Sequence, residues 1–133
     1  MAAYGRSLFA AGIVMLSANL GAQAPSLTPT QVAPFLGTWV VAMSNPAGAQ
    51  ETVKITNTNG TITASVQLGK FPPSEVTGML KDGEMLVLTT TRRENGEPIR
   101  VVMMLTLEGQ TMNLAQLLER SQTIKRGTGK RLD

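Results

Sequence analysis

Two carboxylates flank one turn of the sequence, Glu94 and Glu97 on either side of Asn95-Gly96, at a spacing that resembles a paired acid–base site. Arg92 and Arg93 directly precede the pair and would neutralise it. A hard cation needs more clustered oxygen ligands than this loop offers. We therefore interpret the pair as solvated charges at a hairpin tip that keep the protein soluble.

Nucleophilic catalysis lacks its usual partners in this chain. The sequence contains no His and no Cys, which removes the commonest general base, the commonest metal ligand and the thiol nucleophile. Ser44, Ser65, Ser74 and Ser121 thus have no imidazole to activate them. We predict a protein that is not an enzyme and holds no metal and no cofactor.

The positive charge of the chain is mild, with a formal net charge of +3, and it gathers near the end. No aromatic side chains interleave with these basic residues, as stacking on nucleic-acid bases would require. Binding to nucleic acid is therefore not expected. The basic residues are Arg120, Lys125, Arg126, Lys130 and Arg131.

The first 24 residues have the pattern of a secretory signal peptide. Arg6 supplies a short positive region, an apolar run follows over 8–16, and Ala22-Gln23-Ala24 forms an A-x-A cleavage site. The apolar run is too short to span a bilayer of about 30 Å. We expect residues 1–24 to be removed, cleavage after Ala22 being the alternative, and the mature protein to be secreted or periplasmic, with no transmembrane segment after cleavage.

Tight turns recur along the mature chain about every dozen residues, the spacing of an antiparallel meander. Short segments with the strand period of two lie between them; in the third, Ile62, Ala64, Val66 and Leu68 face one way. The turn signals are 45–48, 59–60, 69–73, 82–83, 95–96 and 108–109, and the predicted strands are 35–43, 51–57, 61–68, 75–81, 84–92, 98–108, 111–119 and 122–126.

Seven or eight strands in this order predict an all-β, up-and-down meander, closed into a barrel, with a two-sheet sandwich as the alternative. Residues 111–119 also carry a helical pattern, and Gly78 indicates a bulge or a bend. We expect an extended arm over 25–34, a barrel domain over 35–127 and a fraying basic tail over 128–133. Within the arm, Thr28 and Pro29 would also suit one helical turn.

The motif Gly37-Thr38-Trp39 opens the first strand directly after Phe35-Leu36, in a chain whose presumed last strand carries Lys125 and Arg126. This arrangement resembles the calycins, the group of lipocalins, fatty-acid-binding proteins and avidins. The resemblance implies that Trp39 closes one end of the barrel. It also implies that Arg126, or Lys125, packs across Trp39 in a cation–π contact of about 0.5–2 kcal/mol.

The sequence departs from each of these families in a definite way. Nothing between Ser44 and Glu51 leaves room for the two helices of a fatty-acid-binding protein, and Thr128 stands where that family has a Tyr after its Arg. Typical lipocalins are longer, and avidins need several tryptophans where this chain has one. The resemblance covers the topology of residues 35–127 and one short motif.

A second resemblance is to the small periplasmic inhibitors of bacterial metalloproteases, which are barrels with an exposed arm before a G-x-W strand. Here Ser26-Leu27 precedes Gly37-Thr38-Trp39. In that family the arm enters the protease cleft, so the resemblance implies a protein partner for residues 25–34. The family's disulfide is missing, and Pro25 would precede the serine.

These observations support two hypotheses of function. The first is an exported, lipocalin-like protein that binds a small apolar or amphipathic ligand. The second is a protein–protein module, such as a protease inhibitor, or a structural envelope protein with a filled core. The residues expected to line a ligand site are Trp39, Val53, Ile55, Ile62, Val66, Leu88, Val101, Met103, Leu105, Met112 and Arg126.

Overall fold

The computed structural model describes residues 27–44 and 48–132 of the 133-residue chain. The predicted signal segment, residues 1–24, lies outside these ranges. So do the first two residues of the predicted arm and most of the first turn signal, residues 45–47. Predictions on those residues stay predictions.

The described residues form eight strands that follow one another in chain order around a closed antiparallel barrel. The all-β, up-and-down architecture predicted from the turns is therefore confirmed, and the sandwich is excluded. The strands are β1 Gly37–Met43, β2 Gln50–Thr58, β3 Thr61–Leu68, β4 Ser74–Asp82, β5 Met85–Glu94, β6 Glu97–Glu108, β7 Thr111–Leu118 and β8 Thr123–Leu132.

The barrel closes where β8 pairs with β1, from Thr38 opposite Leu132 to Met43 opposite Gly127. The sequence pattern predicted a last strand that ends at Arg126 and a fraying tail over 128–133. That boundary is wrong, because β8 continues through Leu132. Residues 128–132 supply much of the β8 side of the seam that closes the barrel.

Two glycines explain why the end of β8 was misread. Gly127 and Gly129 alternate with exposed residues and face the interior. A Cβ at Gly129 would lie 2.7 Å from Cγ2 of Val41, and one at Gly127 would lie 2.7 Å from the carbonyl oxygen of Ala42. Glycine at these positions lets β8 approach β1 closely, so it continues the strand here rather than ending it.

The two Asn-Gly turns have the backbone conformation that their sequence predicts. Asn59 and Gly60 have φ of 53° and 89°, and Asn95 and Gly96 have φ of 53° and 80°. Positive φ at both central residues is the requirement of a type I′ hairpin, whose twist matches that of the flanking strands. These turns fix the register of β2 against β3 and of β5 against β6.

Two points that the sequence left open are settled by burial and pairing. Along β7, buried and half-buried residues alternate strictly, so 111–118 is a strand and not a helix. In β4 the pairing with β5 shifts between Val76 and Gly78, which is the bulge that Gly78 indicated.

The segment predicted as an extended arm forms the helical turn that was its alternative. Helix α1, Pro29–Val32, has Thr28 as its N-cap, with a capping box to Gln31, and a 3₁₀ turn, Ala33–Phe35, follows. Val32 and Phe35 are both buried in the core. The described part of this segment therefore packs on the barrel instead of extending from it.

Candidate ligand-binding site

One end of the barrel is sealed by Trp39. Its indole Nε1–H donates a hydrogen bond of 2.9 Å to the carbonyl oxygen of Phe35, and its side chain is buried. Val32 and Phe35 from the helical turns pack into the same core. The ammonium of Lys81 lies 5.7 Å from the centre of the Phe35 ring. We call this the closed end.

A late basic residue packs across Trp39, as the calycin resemblance implies, but it is Arg131. Its guanidinium carbon lies 4.6 Å from the centre of the Trp39 ring, and its Nη2 donates to the carbonyl oxygen of Pro34 at 2.6 Å. The expectation of Arg126 or Lys125 is wrong, because the strand runs on past both. Gly37, at φ of 121°, leaves room for the Arg131 side chain, which would lie 3.3 Å from a Cβ there.

The middle of the barrel is filled by side chains. Besides Trp39 and Val101, which are equally buried, six of the residues expected to line a ligand site are at most 1% exposed and belong to the same continuous core, while Ile62 is half-buried against it. These six side chains fill the barrel interior, which is the filled core that the second hypothesis describes. They are Val53, Ile55, Leu88, Met103, Leu105 and Met112.

A cavity of about 490 Å³ opens at the other end of the barrel, where β3, β5 and β7 finish and β4 and β8 begin. We call this the open end. Two of the predicted lining residues, Val66 and Val101, contribute to its wall. The full lining consists of Val66, Leu68, Phe71, Pro72, Ser74, Thr90, Arg92, Arg93, Val101, Gln116 and Lys125.

The lining of this cavity combines apolar and cationic groups. Val66, Leu68 and Val101 supply aliphatic surface, while Arg92 on β5 and Lys125 on β8 bring positive charge from two different strands. Both cationic residues are half-buried. An amphipathic molecule with an anionic group fits this combination better than a purely apolar one.

A buried carboxylate stands next to these cations. Glu51 is 2% exposed and Gln116, which lines the cavity, is also 2% exposed. Burial raises the pKa of the Glu51 carboxyl, and the charge of Arg92, a hydrogen bond with the Gln116 side chain and the charge of Lys125 lower it in part. Since the net shift is upward, desolvation outweighs the two cations.

Two acceptors in this cluster have no donor among the described residues. They are Oε1 of Glu51 and Oε1 of Gln116, and both atoms are closed to solvent. A buried acceptor without a donor is costly. With Glu51 ionised, these two buried oxygens therefore lack a hydrogen-bond donor among the described residues.

The rim of the open end carries an exposed aromatic side chain. Phe71, in the loop between β3 and β4, is 72% exposed although its ring borders the cavity. Its loop is braced by backbone hydrogen bonds from Gly69 to Gln50 and from Phe71 to Leu68. The ring is thus held at the entrance, where an apolar ligand segment would pass.

Arg126 lies elsewhere. It is exposed and borders a second, wider depression of about 470 Å³ that is lined largely by outward-facing residues such as Met104 and Asn113. Arg126 pairs with Ala115, and its neighbour Lys125 pairs with the inward-facing Gln116. The alternation along β8 separates the two basic side chains, so Arg126 does not reach the open-end cavity.

Glu51, Arg92 and Gln116 were not predicted as site residues, and Lys125 was named only as an alternative partner for Trp39. The signal was available, because Glu51 is in phase with Val53 and Ile55, and Gln116 is in phase with Met112 and Leu114. These residues place ionisable and polar side chains at the open end of the barrel interior. They lie within two to three residues of a strand end, where a barrel opens to solvent.

Glu97 is one of the two carboxylates that flank the Asn95-Gly96 turn, and it is exposed. Glu97 forms an ion pair with Arg120, and Arg93 donates to the carbonyl oxygen of Gly96 at 2.9 Å. In the ranges 27–44 and 48–132, no three His, Cys, Asp or Glu residues cluster as metal ligands would. Neither helical turn of the described chain has the length and apolar character needed to span a membrane.

Comparisons with known proteins bear on the fold alone. No protein-family model matches the chain, and no curated protein matches it. Among solved structures, the crystal structure of the fluorescent protein UnaG N57Q mutant is similar, with 12% sequence identity and a TM-score of 0.43 over 75% of this chain and 97% of that chain. The described residues themselves show the closed eight-stranded meander, and the distant likeness carries no argument about a family or a ligand.

Proposed function

We propose that the protein is an exported, non-enzymatic barrel that binds a small amphipathic ligand in the cavity at its open end. The anionic group of the ligand would lie near Arg92 and Lys125, and its apolar part against Val66, Leu68 and Val101. The observation that carries this proposal is the pairing of aliphatic walls with two cationic side chains in one cavity of about 490 Å³.

The size of the cavity supports a small molecule. Ligand sites in proteins commonly measure about 300–1,000 Å³, and about 490 Å³ lies in the lower half of that range. The filled core below it limits how deeply a ligand can enter. A short-chain or medium-chain amphiphile therefore suits the site better than a long lipid that would thread the whole barrel.

The charge of the cavity favours an amphipathic ligand over a purely apolar one. A hydrocarbon in this space would displace water from Arg92 and Lys125 without adding a hydrogen-bond acceptor, and desolvating a cation in that way is costly. An anionic group offsets the cost by pairing with both side chains. The exposed ring of Phe71 at the rim adds apolar surface for the remainder of the ligand.

The alternative of a partner-binding arm gains no support from residues 27–34. Val32 is fully buried, and Pro34 accepts a hydrogen bond from Arg131, so this part of the segment helps to close the barrel. An arm that enters a protease cleft would have to release these contacts first. The ligand-binding proposal needs no such rearrangement.

Filling the cavity tests the proposal directly. Ser74 lines the cavity and is half-buried, so Ser74→Trp should place an indole in the ligand's space. Ser65 pairs with Glu75, the residue after Ser74, and alternates with the buried Ala64 and Val66, so Ser65→Trp is the matched outward control. After delipidation, the wild type and S65W should take up a fluorescent fatty acid and S74W should not. Equal uptake by S74W, or none by the wild type, would overturn the proposal.

The anionic preference has its own matched pair. Lys125 faces the cavity and Arg126 faces outward, so Lys125→Met should weaken binding of dodecanoic acid by about tenfold, roughly the value of one charge-assisted contact. Binding of dodecanol should change little, and Arg126→Met should leave both unchanged. A similar loss for the acid and the alcohol would show that Lys125 contributes shape rather than charge.

Export is supported by the sequence pattern over residues 1–24 and is tested separately. The full chain, expressed in a bacterium with a C-terminal tag, should yield a shorter product outside the cytoplasm that begins at Pro25, or at Gln23 if cleavage follows Ala22. N-terminal sequencing of the purified product gives the answer. A full-length product that stays in the cytoplasm would contradict export and leave the binding proposal intact.

A further inference from the structure

The open-end cavity and the buried Glu51 compete for the same positive charges. Arg92 and Lys125 line the cavity, and both act on the Glu51 carboxyl. Glu51 itself stands behind the lining, next to Gln116, which faces the cavity and forms a hydrogen bond with it. The Glu51 carboxylate is thus an anionic group of the protein itself that already lies near the two cations.

We propose that Glu51 acts as a placeholder for the ligand's anionic group, and that an anionic ligand binds at Arg92 and Lys125 with uptake of one proton by Glu51. This inference rests on the proposed function and deepens it, since it makes Glu51 a specificity-determining residue that couples anion binding to pH. The proton comes from solvent and goes to a carboxylate oxygen, so no other reactant is needed.

Burial makes the protonated form of Glu51 accessible. The carboxyl is 2% exposed, and its burial raises the pKa above the ordinary value although both cations oppose this. An incoming anion would repel the carboxylate and share the cations that hold it ionised. Binding of the anionic ligand therefore adds a negative charge to the cavity, and the protonation of Glu51 that accompanies it removes the negative charge of the carboxylate behind the cavity wall.

The unpaired acceptors in this cluster fit the same interpretation. Oε1 of Glu51 and Oε1 of Gln116 have no donor among the described residues. A protonated carboxyl is itself a donor, whereas a carboxylate only accepts. Protonation of Glu51 thus lowers the number of buried acceptors that need a partner and raises the number of donors by one.

Among the described residues, the partners of Glu51 on the other elements around it are uncharged. Its partners in the ladders are Val41 on β1 and Leu68 on β3, and Gln116 on β7 is neutral. Positive charge reaches it from Arg92 on β5 and Lys125 on β8. Arg93 lines the same cavity, but its guanidinium binds the Gly96 carbonyl.

The experiment uses decane sulfonate, a probe that stays anionic throughout the range from pH 5 to pH 8. Calorimetric titration of the full wild-type protein, in two buffers of different ionisation heat, gives both the affinity and the number of protons taken up. The affinity should fall with rising pH above the ordinary carboxyl range, by up to about tenfold per unit, since that is the limit for one linked proton. Proton uptake should approach one within that interval.

Glu51→Gln supplies the matched variant, because it keeps the shape of the side chain without its charge. We expect E51Q to bind decane sulfonate with the same affinity at every pH, and more tightly than the wild type at pH 8. The control E108Q changes an exposed carboxylate at the last residue of β6, at the closed end, and should keep the wild-type pH dependence. Decanol should bind independently of pH in all three proteins.

The failures of the two proposals are distinguishable. If decane sulfonate binds the wild type with one affinity from pH 5 to pH 8 and no proton uptake, the placeholder role is overturned while ligand binding stands. If neither the sulfonate nor a fatty acid binds at any pH, the proposed function fails and the role of Glu51 fails with it. The proton count of the wild type decides the question even if E51Q does not fold.

Discussion

The two ends of the barrel are built from the same alternating strands and differ in the residues that lie beyond the apolar core. At the closed end Trp39, Val32 and Phe35 continue the core until it is capped by Arg131. At the open end the inward positions change to Glu51, Thr90 and Gln116 before the strands finish. The closed end therefore stabilises the fold. The open end leaves a cavity with buried polar atoms that have no hydrogen-bond partner among the described residues, as is typical of a ligand-binding site.

In this short barrel, stability and binding thus depend on opposite ends of the axis: stability on the closed end, and binding on the open end. The filled middle isolates the two ends, because its core side chains are at most a few per cent exposed. Substitutions at the closed end should therefore lower the free energy of unfolding, whereas substitutions at the open end should change ligand affinity or pH response. Four sets of variants test this division, from the largest expected effect to the smallest.

Removing the plug should cost most. Trp39→Ala deletes the largest buried side chain and its hydrogen bond to Phe35, and truncations of this kind lower stability by about 3–5 kcal/mol. Urea unfolding followed by circular dichroism measures the change. Trp39→Phe should recover part of the loss, and Phe71→Ala at the rim of the open end should lose little. A loss for W39A no larger than that for F71A would contradict the role of the plug.

A methyl group at the closing seam should cost less. Gly129→Ala places a Cβ at 2.7 Å from Cγ2 of Val41 and 2.9 Å from the carbonyl oxygen of Val40, so we expect a destabilisation of about 1–3 kcal/mol from overpacking. Thr128→Ala, the exposed neighbour, should change stability by about 0.5 kcal/mol or less. If the two variants were equally stable, β8 would not pack against β1 as closely as described.

The cation over the plug should contribute a smaller amount. Arg131→Met removes the contact with the Trp39 ring and the hydrogen bond to Pro34, for a loss of about 1–2 kcal/mol. Lys130→Met and Arg126→Met are exposed controls on the same strand and should unfold with the wild type. Should R126M lose as much as R131M, the partner predicted from the sequence would be the right one after all.

At the open end, the substitution Glu51→Gln should raise the stability of the protein instead of lowering it. The pKa of Glu51 is raised in the folded protein by burial, so the wild type loses stability as pH rises from the ordinary carboxyl range through the raised value. Glu51→Gln has no proton to lose and should be more stable than the wild type above that interval. Unfolding midpoints of both proteins from pH 4 to pH 8 measure this. A constant difference across the range would exclude proton linkage at Glu51.

The architecture was predictable because its signals are local. Asn59-Gly60 and Asn95-Gly96 specify hairpins through their own backbone preferences, and the alternation in β3 and β6 specifies which face is buried. Consecutive hairpins then order the strands. The end of β8 was not predictable in this way. Gly127 and Gly129 are needed there because a larger residue would clash with Val41 and Met43 on the first strand. These residues are far away in the sequence, and the contact forms only when the barrel closes.

The site was only half predictable for a related reason. All four of Val53, Val66, Val101 and Met103 belong to the core and have the same character in the sequence, but only Val66 and Val101 line the cavity as expected. Strand periodicity shows which face a residue occupies, not how far along the axis the interior stays filled. The height of the filled layer depends on all eight strands and the helical turns together, which no single segment encodes.

The most direct test of the division between the ends is amide chemical-shift mapping by NMR during titration with dodecanoic acid. We predict shifts at Val66, Ser74, Arg92, Gln116 and Lys125, and unchanged signals at Val32, Trp39 and Arg131. Shifts that cluster at the closed end, or around Met104 and Arg126 on the outer face, would contradict a ligand site at the open end, as would a spectrum that the acid does not change.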